Sequence, residues 1–382
     1  NLQKFGILYR IRYSATDPLS LMIKKYIKSF LLVLVIGLIT SGCSISFGTE
    51  SNKEGVDGGV FRSVNKGDTW LQQTAIPTVS GQPKSFSMID DSSLVMDPSD
   101  NKAIYFSSVD NGLFYSYDGA NTWRIANSLG KITISSVAVD PKYKCTIYAT
   151  VANKLYKSID CSRSWTQVYF DNDLSVNISS LAIDNIDSTI LYIGTSRGEI
   201  IRSFNRGESW QTLNRFDDEI AKIIVSKAEH KLIFVGTKSK GIFRSFDTGK
   251  TWVDLTDKLK EFDGNSKFQD LIIAESDRKT LFLVTHYGLL KSDDNGNSWK
   301  KIELITPESE ASINSVAVSP KNLEEIYYVT NTTFYRSADG GKNWTTKKLP
   351  TSRAGWKLLI DPKDENLIYL AVRKLEKKTL KY

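Results

Sequence analysis

One eight-residue phrase recurs seven times in this 382-residue chain, and its spacing limits the folds that the chain can adopt. Every copy has Ser at its first position, Asp or Asn at its third and Trp at its eighth. Successive copies start 42 to 53 residues apart, a period typical of repeat architectures built from small sheets. The copies begin at Ser63, Ser116, Ser158, Ser203, Ser245, Ser292 and Ser337.

The chemistry of the phrase predicts a tight turn between two strands. Short apolar runs flank the copies, and the Asp or Asn can accept hydrogen bonds from the backbone N–H groups of its own turn. Gly, the usual fifth residue, adopts positive φ without strain, and we expect the Trp to fold back over the turn as a large apolar side chain. The predicted structural residues are Asn65 and Trp70, Asp118 and Trp123, Asp160 and Trp165, Asn205 and Trp210, Asp247 and Trp252, Asp294 and Trp299, and Asp339 and Trp344.

These phrases resemble the Asp-boxes, or BNR repeats, of bacterial β-propellers. That superfamily includes sialidases, two-domain xyloglucan hydrolases, sortilin-like domains and the propellers of photosystem II assembly factors. The resemblance covers roughly residues 59 to 372. Ala120 and Ser162 stand where the pattern has Gly, and we expect those two corners to be strained.

The segments between the boxes predict the rest of each repeat. A pair of short apolar or alternating strands, A and B, precedes each later box, as in 135–141 and 146–149, and strands C and D flank the box itself. Each repeat is then a four-stranded antiparallel meander that must stack on its neighbours to bury both faces. The predicted fold is an all-β, seven-bladed β-propeller in residues 59–382.

The two ends of the chain are predicted to close the ring together. The first box has no A and B strands before it, and the last A and B pair, residues 357–372, has no box after it. Residues 60–70 therefore supply strands C and D of the blade whose strands A and B are C-terminal, which leaves no exposed sheet edge at the seam. Residues 377–382 are an alternative candidate for the C strand.

The N-terminal region is predicted to be a targeting segment rather than part of the fold. Met22, the expected start, opens a basic stretch, and residues 30–39 are ten apolar residues, too few to span a bilayer and typical of a signal peptide. The small residues before Cys43 resemble a bacterial lipobox. We therefore expect residues 1–42 to be removed, Cys43 to carry lipid and residues 43–58 to form a flexible tether on the extracytoplasmic side of a bacterial membrane. The alternative is a buried apolar segment with a chance cysteine.

Removal of that segment changes the charge of the protein. The full chain has 50 basic and 43 acidic residues, of which residues 1–42 hold six and one, so the remainder has a net charge of only +2. A nucleic-acid partner, which the basic composition of the full chain would favour, is therefore not expected.

Few residues in the chain carry chemistry. The two histidines, His230 and His286, lie in different repeats, and no Cys/His cluster, phosphate-binding loop or nucleophile elbow is present in the sequence. We therefore expect no metal and no cofactor, and a non-catalytic protein is favoured. Cys145 and Cys161 flank a predicted B–C hairpin centred near Asn153, so antiparallel pairing would place them opposite each other. Either they form a disulfide or they are two unpaired thiols.

Three functions remain open: a lipid-tethered, monomeric interaction propeller, an assembly factor similar to those of photosystem II, and a glycoside hydrolase or sialidase. The resemblance alone does not choose among them. Loops that join D to A and B to C vary in length, and variable loops on a rigid scaffold are where recognition usually resides. Aromatic and guanidinium groups in these loops are therefore candidates for contact with a protein or glycan partner: Arg197, Arg215, His286, Tyr287, Arg353 and Trp356.

Overall fold

The computed structural model describes residues 56–310 and 312–375. The predicted signal peptide, Cys43 and residues 377–382 lie outside them. Between residues 56 and 375, no helix is long or apolar enough to cross a membrane. The strands are β1 (Val60–Ser63), β2 (Leu71–Gln72), β3 (Ala75–Ile76), β4 (Lys84–Ser85), β5 (Asp91–Met96), β6 (Ile104–Ser108), β7 (Leu113–Ser116), β8 (Arg124–Ile125), β9 (Ser136–Val139), β10 (Ile147–Val151), β11 (Lys154–Ser158), β12 (Thr166–Phe170), β13 (Ile178–Ile183), β14 (Leu191–Thr195), β15 (Glu199–Ser203), β16 (Gln211–Arg215), β17 (Ile220–Val225), β18 (Ile233–Thr237), β19 (Gly241–Ser245), β20 (Val253–Asp254), β21 (Phe268–Ile273), β22 (Leu281–Thr285), β23 (Leu289–Ser292), β24 (Lys300–Lys301), β25 (Ser315–Val318), β26 (Ile326–Val329), β27 (Thr333–Ser337), β28 (Thr345–Lys348), β29 (Ala354–Ile360) and β30 (Ile368–Arg373).

Seven four-stranded antiparallel sheets form the blades, as the repeat predicts. Blades 1 to 6 are β5–β8, β9–β12, β13–β16, β17–β20, β21–β24 and β25–β28. Blade 7 has the order β2-β1-β30-β29, so the first and last strands of the propeller pair with each other. The A strands line a common central channel and the D strands form the exposed outer edge. Two 3-10 helices, Asn127–Leu129 and Thr256–Leu259, and the hairpin β3–β4 lie in D–A loops.

The core is divided among the contacts between blades. Seven hydrophobic clusters are present, and each joins buried side chains from two neighbouring blades, including one between blades 7 and 1. Single sheets this small cannot bury both of their faces, so each blade depends on its two neighbours. A closed ring gives every blade both of them.

Each Asp-box closes its own turn by hydrogen bonds. In the box of blade 4, the Ser245 hydroxyl donates to Asp247 Oδ1 at 2.8 Å and accepts from the Gly249 N–H at 2.8 Å. The Thr251 N–H and hydroxyl donate to the two oxygens of Asp247 at 2.9 and 2.6 Å. Both carboxylate oxygens of Asp247 are therefore used within the turn, which agrees with a structural role.

The boxes also bind neighbouring blades to one another. The Trp123 and Trp344 Nε1–H groups donate to Gln73 O at 2.9 Å and Glu303 O at 2.8 Å, both in the preceding blade. In the other direction, the arginine just before the box Ser donates to the box of the following blade. Examples are Arg202 Nη1 to Thr248 O at 2.6 Å and Arg244 Nη1 to Asn295 O at 2.6 Å. These two kinds of side-chain contact thus recur between neighbouring blades on the face of the propeller that carries the boxes.

The disulfide that the spacing allowed is present. Cys145 and Cys161 are bonded, with their Cα atoms 4.1 Å apart. Cys145 ends the A–B turn of blade 2, and Cys161 is the fourth residue of that blade's box. The bond therefore joins two turns on one face of the propeller.

Candidate functional site

The candidate site is the mouth of the central channel on the face formed by the D–A and B–C loops, here called the loop face. The channel cavity measures about 710 Å³ and is walled by the A strands of the seven blades. Volumes of this order accommodate small ligands or a segment of extended chain.

β-Bulges at the start of the A strands aim side chains at this mouth. In five blades the pairing of strands A and B skips one residue near its start. The extra residue of a bulge does not take part in strand pairing, and its side chain points in a different direction from that of a regular strand residue. These residues and their equivalents in blades 2 and 6 form the mouth ring: Ser92, Ser135, Ser179, Ala221, Gln269, Asn314 and Trp356.

The next residue of each A strand forms a second ring inside the channel, here called the inner ring. It consists of Ser93, Ser136, Ser180, Lys222, Asp270, Ser315 and Lys357. Lys222 Nζ lies 2.5 Å from Asp270 Oδ1, and Lys357 Nζ lies 3.4 Å from Asp270 Oδ2. The Ser180 and Ser315 hydroxyl oxygens accept hydrogen bonds from the backbone N–H groups of Ile223 and Leu358, each in the A strand of the next blade. The two rings are therefore polarised: blades 1 to 3 offer only serines, and blades 4 to 7 carry the charged and bulky groups.

Electrostatics at the inner ring favour an anion. Burial would raise the pKa of Asp270, but the two lysines outweigh it and lower the pKa to about 2, so this carboxylate stays ionised. Burial, together with repulsion from Lys357, outweighs the attraction of Asp270 and lowers the pKa of Lys222 to about 8. At neutral pH two ammonium groups face one carboxylate, so the ring has a net positive charge.

The six residues predicted to contact a partner do not form one site. Trp356 lies in the mouth ring, with the Arg373 guanidinium 4.7 Å from its ring centre. His286 and Tyr287 lie in the B–C turn of blade 5, where the Tyr287 hydroxyl donates to Glu308 at 3.3 Å. Arg197 and Arg215 belong to a network in blade 3 around the buried Glu199, at 2.6 and 2.8 Å.

Arg353 is at the seam of the ring rather than on its surface. Its side chain is only 7 % exposed and contacts Asp57, Asp90 and the Met88 carbonyl. These acidic residues bury the Arg353 side chain at the seam, and its contact with a partner stays a prediction. The residues that the sequence reasoning missed are Lys222, Asp270 and Lys357. Aligning the A strands would have shown them, since the equivalent position elsewhere is serine.

Metal-binding residues are not clustered at this site. Within residues 56–310 and 312–375, no group of three or more His, Cys, Asp or Glu side chains could hold a metal ion.

Comparison with known proteins relates the chain to two groups of propellers. Residues 214–354 match the family described as photosynthesis system II assembly factor YCF48. A xyloglucanase from Paenibacillus sp is 31 % identical over 152 residues, which cover 32 % of this chain and 14 % of that enzyme. The chain thus corresponds to a small part of the curated relative that it matches.

Solved structures agree in fold. The GH74 xyloglucanase from Xanthomonas campestris is 17 % identical with a TM-score of 0.59, and the match covers 75 % of this chain and 51 % of that one. YCF48 from Cyanidioschyzon merolae is 14 % identical with a TM-score of 0.57, covering 78 % and 98 %. A structure of YCF48 bound to D1 peptide is 16 % identical with a TM-score of 0.56, covering 74 % and 94 %. Identities this low show a shared fold.

Proposed function

We propose that this BNR-type seven-bladed propeller, related to the YCF48 assembly factors and the GH74 xyloglucanases, is a non-catalytic binding protein. It holds a segment of a partner protein at the channel mouth of the loop face, and a lipid on Cys43 tethers it to the extracytoplasmic side of a bacterial membrane. The polarised channel wall is the observation that carries the proposal. A chain laid against the serines presents its acidic group to Lys222 and Lys357.

Two comparisons support a polypeptide ligand. A YCF48 protein, similar in fold, has been solved with a D1 peptide bound. The segment that matches the YCF48 family, residues 214–354, supplies Lys222, Gln269, Asp270 and Asn314 of the two rings. The charged half of the channel therefore comes largely from the part of the chain that resembles this family.

The partner can be tested by crosslinking in the native membrane. A photo-crosslinking residue at Gln269 or Asn314 should capture one protein through a defined segment, whereas the same group at Lys321, on the opposite face, should not. Lys222→Met and Lys357→Met, combined with Asp270→Asn so that no buried carboxylate is left without its cations, should abolish capture without loss of the folded ring. Capture from Lys321 alone, or capture that survives the triple substitution, would place the partner elsewhere.

Binding should also depend on pH. Lys222 has a pKa lowered to about 8, so it loses its proton as the pH rises from 7 to 9. The inner ring then loses its net positive charge, and an acidic segment is held less strongly. Titration of the captured segment should show weaker binding at pH 9 than at pH 7, and Lys222→Met should remove most of that difference.

The tether and the absence of catalysis need separate tests. Metabolic labelling with a fatty acid should mark the wild-type protein and not Cys43→Ala; equal labelling would refute lipidation.

Because part of the chain is similar to a xyloglucanase, catalysis is tested by incubating the protein with a panel of glycans. Asp270 is held ionised by two lysines, which does not suit a general acid, and we expect no hydrolysis. Turnover of any glycan on the panel would overturn the non-catalytic assignment.

A further inference from the structure

The face that carries the Asp-boxes has exposed apolar side chains at one repeated position. The second residue of the box is Val64 in blade 7, Tyr117 in blade 1, Ile159 in blade 2, Phe204 in blade 3 and Phe246 in blade 4. These five residues, here called the apolar arc, are 42 to 71 % exposed. Blades 5 and 6 have Asp293 and Ala338 at the same position. Isolated exposed apolar residues are ordinary, but a run through five successive blades is not explained by the turn itself.

The arc follows neighbouring boxes that contact one another. Arg62 Nη1 donates to Gly119 O at 2.8 Å, which joins the boxes of blades 7 and 1. The Tyr117 hydroxyl donates to Cys161 O at 3.4 Å and Lys157 Nζ to Arg206 O at 3.2 Å, which joins the boxes of blades 1, 2 and 3. With the Arg202 contact to the box of blade 4, the arc is one continuous strip of the surface.

The aromatic residues of the arc are supported from within the propeller. The Arg202 guanidinium lies 3.8 Å from the ring centre of Phe204, and that of Arg244 lies 4.4 Å from Phe246. Both arginines are buried and fixed by their hydrogen bonds to the next blade. One face of each ring therefore rests on a guanidinium while the rest stays open to the surroundings, and the rings do not collapse into the core.

Cations accompany the arc. Lys142, Arg163 and Lys250 are exposed and have no carboxylate partner within residues 56–310. Arg206 stacks on the exposed Tyr143 with its guanidinium 4.9 Å from the ring centre. In blade 5, by contrast, Asp293 pairs with Lys291 at 3.0 Å. The ionised box aspartates Asp118, Asp160 and Asp247 also lie beside the arc, but their carboxylates accept hydrogen bonds within their own turns. The strip therefore combines apolar side chains with exposed cations, and it ends where an acidic residue takes the second position.

We propose that the apolar arc docks on an anionic lipid surface. The arc presents single side chains on successive turns, and the cavity that the structure records beside Tyr117 is small and lined mostly by polar groups. A protein hot spot usually needs a pocket, whereas side chains that enter a bilayer interface insert one by one, and nearby lysines and arginines pair with lipid phosphates. Docking through this face leaves the channel mouth, on the opposite face, open to a partner.

The reach of the N-terminal tether is compatible with this orientation. Asp57 is fixed at the loop face by hydrogen bonds from Thr351 and Ser352. The expected lipid on Cys43 is 14 residues upstream, a span of at most about 50 Å when fully extended. The longest A strand, β29, has seven residues and a length of roughly 23 Å. A segment of this length is therefore long enough to reach from the loop face to the opposite face.

Vesicle binding tests the proposal on the propeller without its anchor. Residues 52–382 contain all seven blades and the seam, and they form a compact unit of their own. This fragment should co-sediment with vesicles of phosphatidylcholine and phosphatidylglycerol, less so at high salt, and not with phosphatidylcholine alone. Phe204→Ser combined with Phe246→Ser should weaken binding roughly ten- to a hundredfold. Lys142→Ala and Lys250→Ala should each weaken it about fivefold.

Phe170→Ser is the matched control. Phe170 is 55 % exposed, comparable to the arc residues, but it ends β12 near the loop face. Its substitution should leave vesicle binding unchanged. The lysine variants and Phe170→Ser should melt as the wild type does, whereas the double phenylalanine variant should melt slightly lower because two contacts with buried guanidinium groups are lost. Failure to bind either vesicle, or equal loss with Phe170→Ser, would overturn the proposal. So would capture of a protein through Phe204 and Phe246 without vesicle binding.

Discussion

At the scale of single residues, the Asp-box depends on two consecutive residues with positive φ. The fifth position was expected to have this conformation, and φ is +87° at Gly249, +66° at Ala120 and +69° at Ser162. The fourth position has it too, as in Cys161 at +58° and Thr248 at +64°. The sequence did not reveal the fourth position because its residue type varies from box to box. The cost of left-handed non-glycine residues is met by the fixed hydrogen bonds of the turn.

Glycine at the fifth position is also required by the neighbouring blade. A Cβ on Gly249 would lie 2.7 Å from Leu213 Cδ1, three residues after the box Trp of blade 3. Ser162 is the fifth residue of the box in blade 2. The residue of blade 1 that corresponds to Leu213 there is Ala126, which is small. Ser162 is therefore accommodated beside a small side chain, whereas Ala120 has Gln73 at the equivalent place.

Gly249→Ala should therefore destabilise the protein by about 2 to 4 kcal/mol, through the strained φ and the contact with Leu213. Ala120→Gly, which relieves strain at the same position of another box, should be close to neutral. Urea denaturation of both variants measures the difference. An unchanged midpoint for Gly249→Ala would refute the packing argument.

The box tryptophans are not equivalent, although the sequence treats them alike. Trp123 and Trp299 are buried, whereas Trp252 and Trp344 are half-buried. Trp299→Ala should cost about 3 to 5 kcal/mol because its indole fills the core between blades 4 and 5. Trp344→Ala should cost clearly less. Thermal and urea unfolding decide this, and equal losses would mean that exposure does not set the cost.

At the scale of the strand, one A strand departs from its six equivalents. Its first paired residue is Asp91, where the other blades have Ile134, Ile178, Ile220, Phe268, Ile313 and Gly355. Asp91 is fully buried, and neither carboxylate oxygen has a hydrogen-bond partner within the described chain. Burial raises its pKa well above the usual range, against the opposing attraction of Lys357 and Arg373.

Because Asp91 is buried, replacing it with a neutral residue should stabilise the protein, by an amount that depends on pH. A raised native pKa means that the folded state holds a proton that the unfolded chain releases, so stability falls as pH rises above about 4. Asp91→Asn lacks this loss and should be more stable than wild type at neutral pH by about 1 kcal/mol or more. Melting curves from pH 4 to pH 7 should show the two proteins converging at the acidic end. A variant less stable than wild type at pH 7 would show that the carboxylate is needed.

The disulfide of blade 2 joins the turn that precedes strand B to the turn that follows strand C. The two cysteines are 16 residues apart in sequence, and the entropy that the bond removes from the unfolded chain should stabilise the fold by about 3 kcal/mol. Cys161→Ser should lose about that much, and reduction of the wild type should lose the same amount. Non-reducing peptide mapping of protein taken from the cell envelope should recover one linked pair. Two freely alkylated thiols would contradict the bond.

Strands were predictable and their bulges were not, for a physical reason. The apolar alternation of segments such as 315–318 and the box turns define where strands begin and reverse. A bulge adds one residue without disturbing that pattern, so the aim of Gln269 or Trp356 at the channel depends on pairing with strand B. The inner ring likewise exists only after seven A strands are arranged about one axis. The burial of Arg353 could not be read from the sequence because its partners, Asp57 and Asp90, are distant along the chain.

At the scale of the whole molecule, the seam of the ring is formed by both ends of the chain. Strand β1 pairs with β30 along four residues, from Val60 with Ala371 to Ser63 with Ile368. Asp57 accepts hydrogen bonds from Ser352 and Thr351, and Arg353 bridges Asp57 and Asp90. Burial would raise the pKa of Asp57, but these hydrogen bonds outweigh it and lower the pKa. The predicted closure by residues 60–70 and 357–372 is thus confirmed, with a polar lock beside it.

Arg353→Ala should open this lock. It leaves Asp57 and Asp90 without their buried cation, at an expected cost of about 3 to 5 kcal/mol. Hydrogen exchange should rise first in β1 and β30. Lys238→Ala, which breaks the exposed pair with Glu219 at 3.0 Å, should cost at most about 1 kcal/mol. Equal effects of the two substitutions would show that the seam does not depend on Arg353.

The same seam sets the order in which the protein can be completed during synthesis. Among the strands that the structure describes, β1 and β2 are made first, whereas β30, the partner of β1, is made last. Until then the N-terminal hairpin has an unpaired edge, and the nascent ring exposes the interface that blade 7 will cover. The ring therefore cannot close until β30 has been made, and its closure needs a contact between strands that are far apart in sequence. Until β30 is available, blade 1 also lacks the buried contacts with Tyr369 and Ala371 that cover one of its faces.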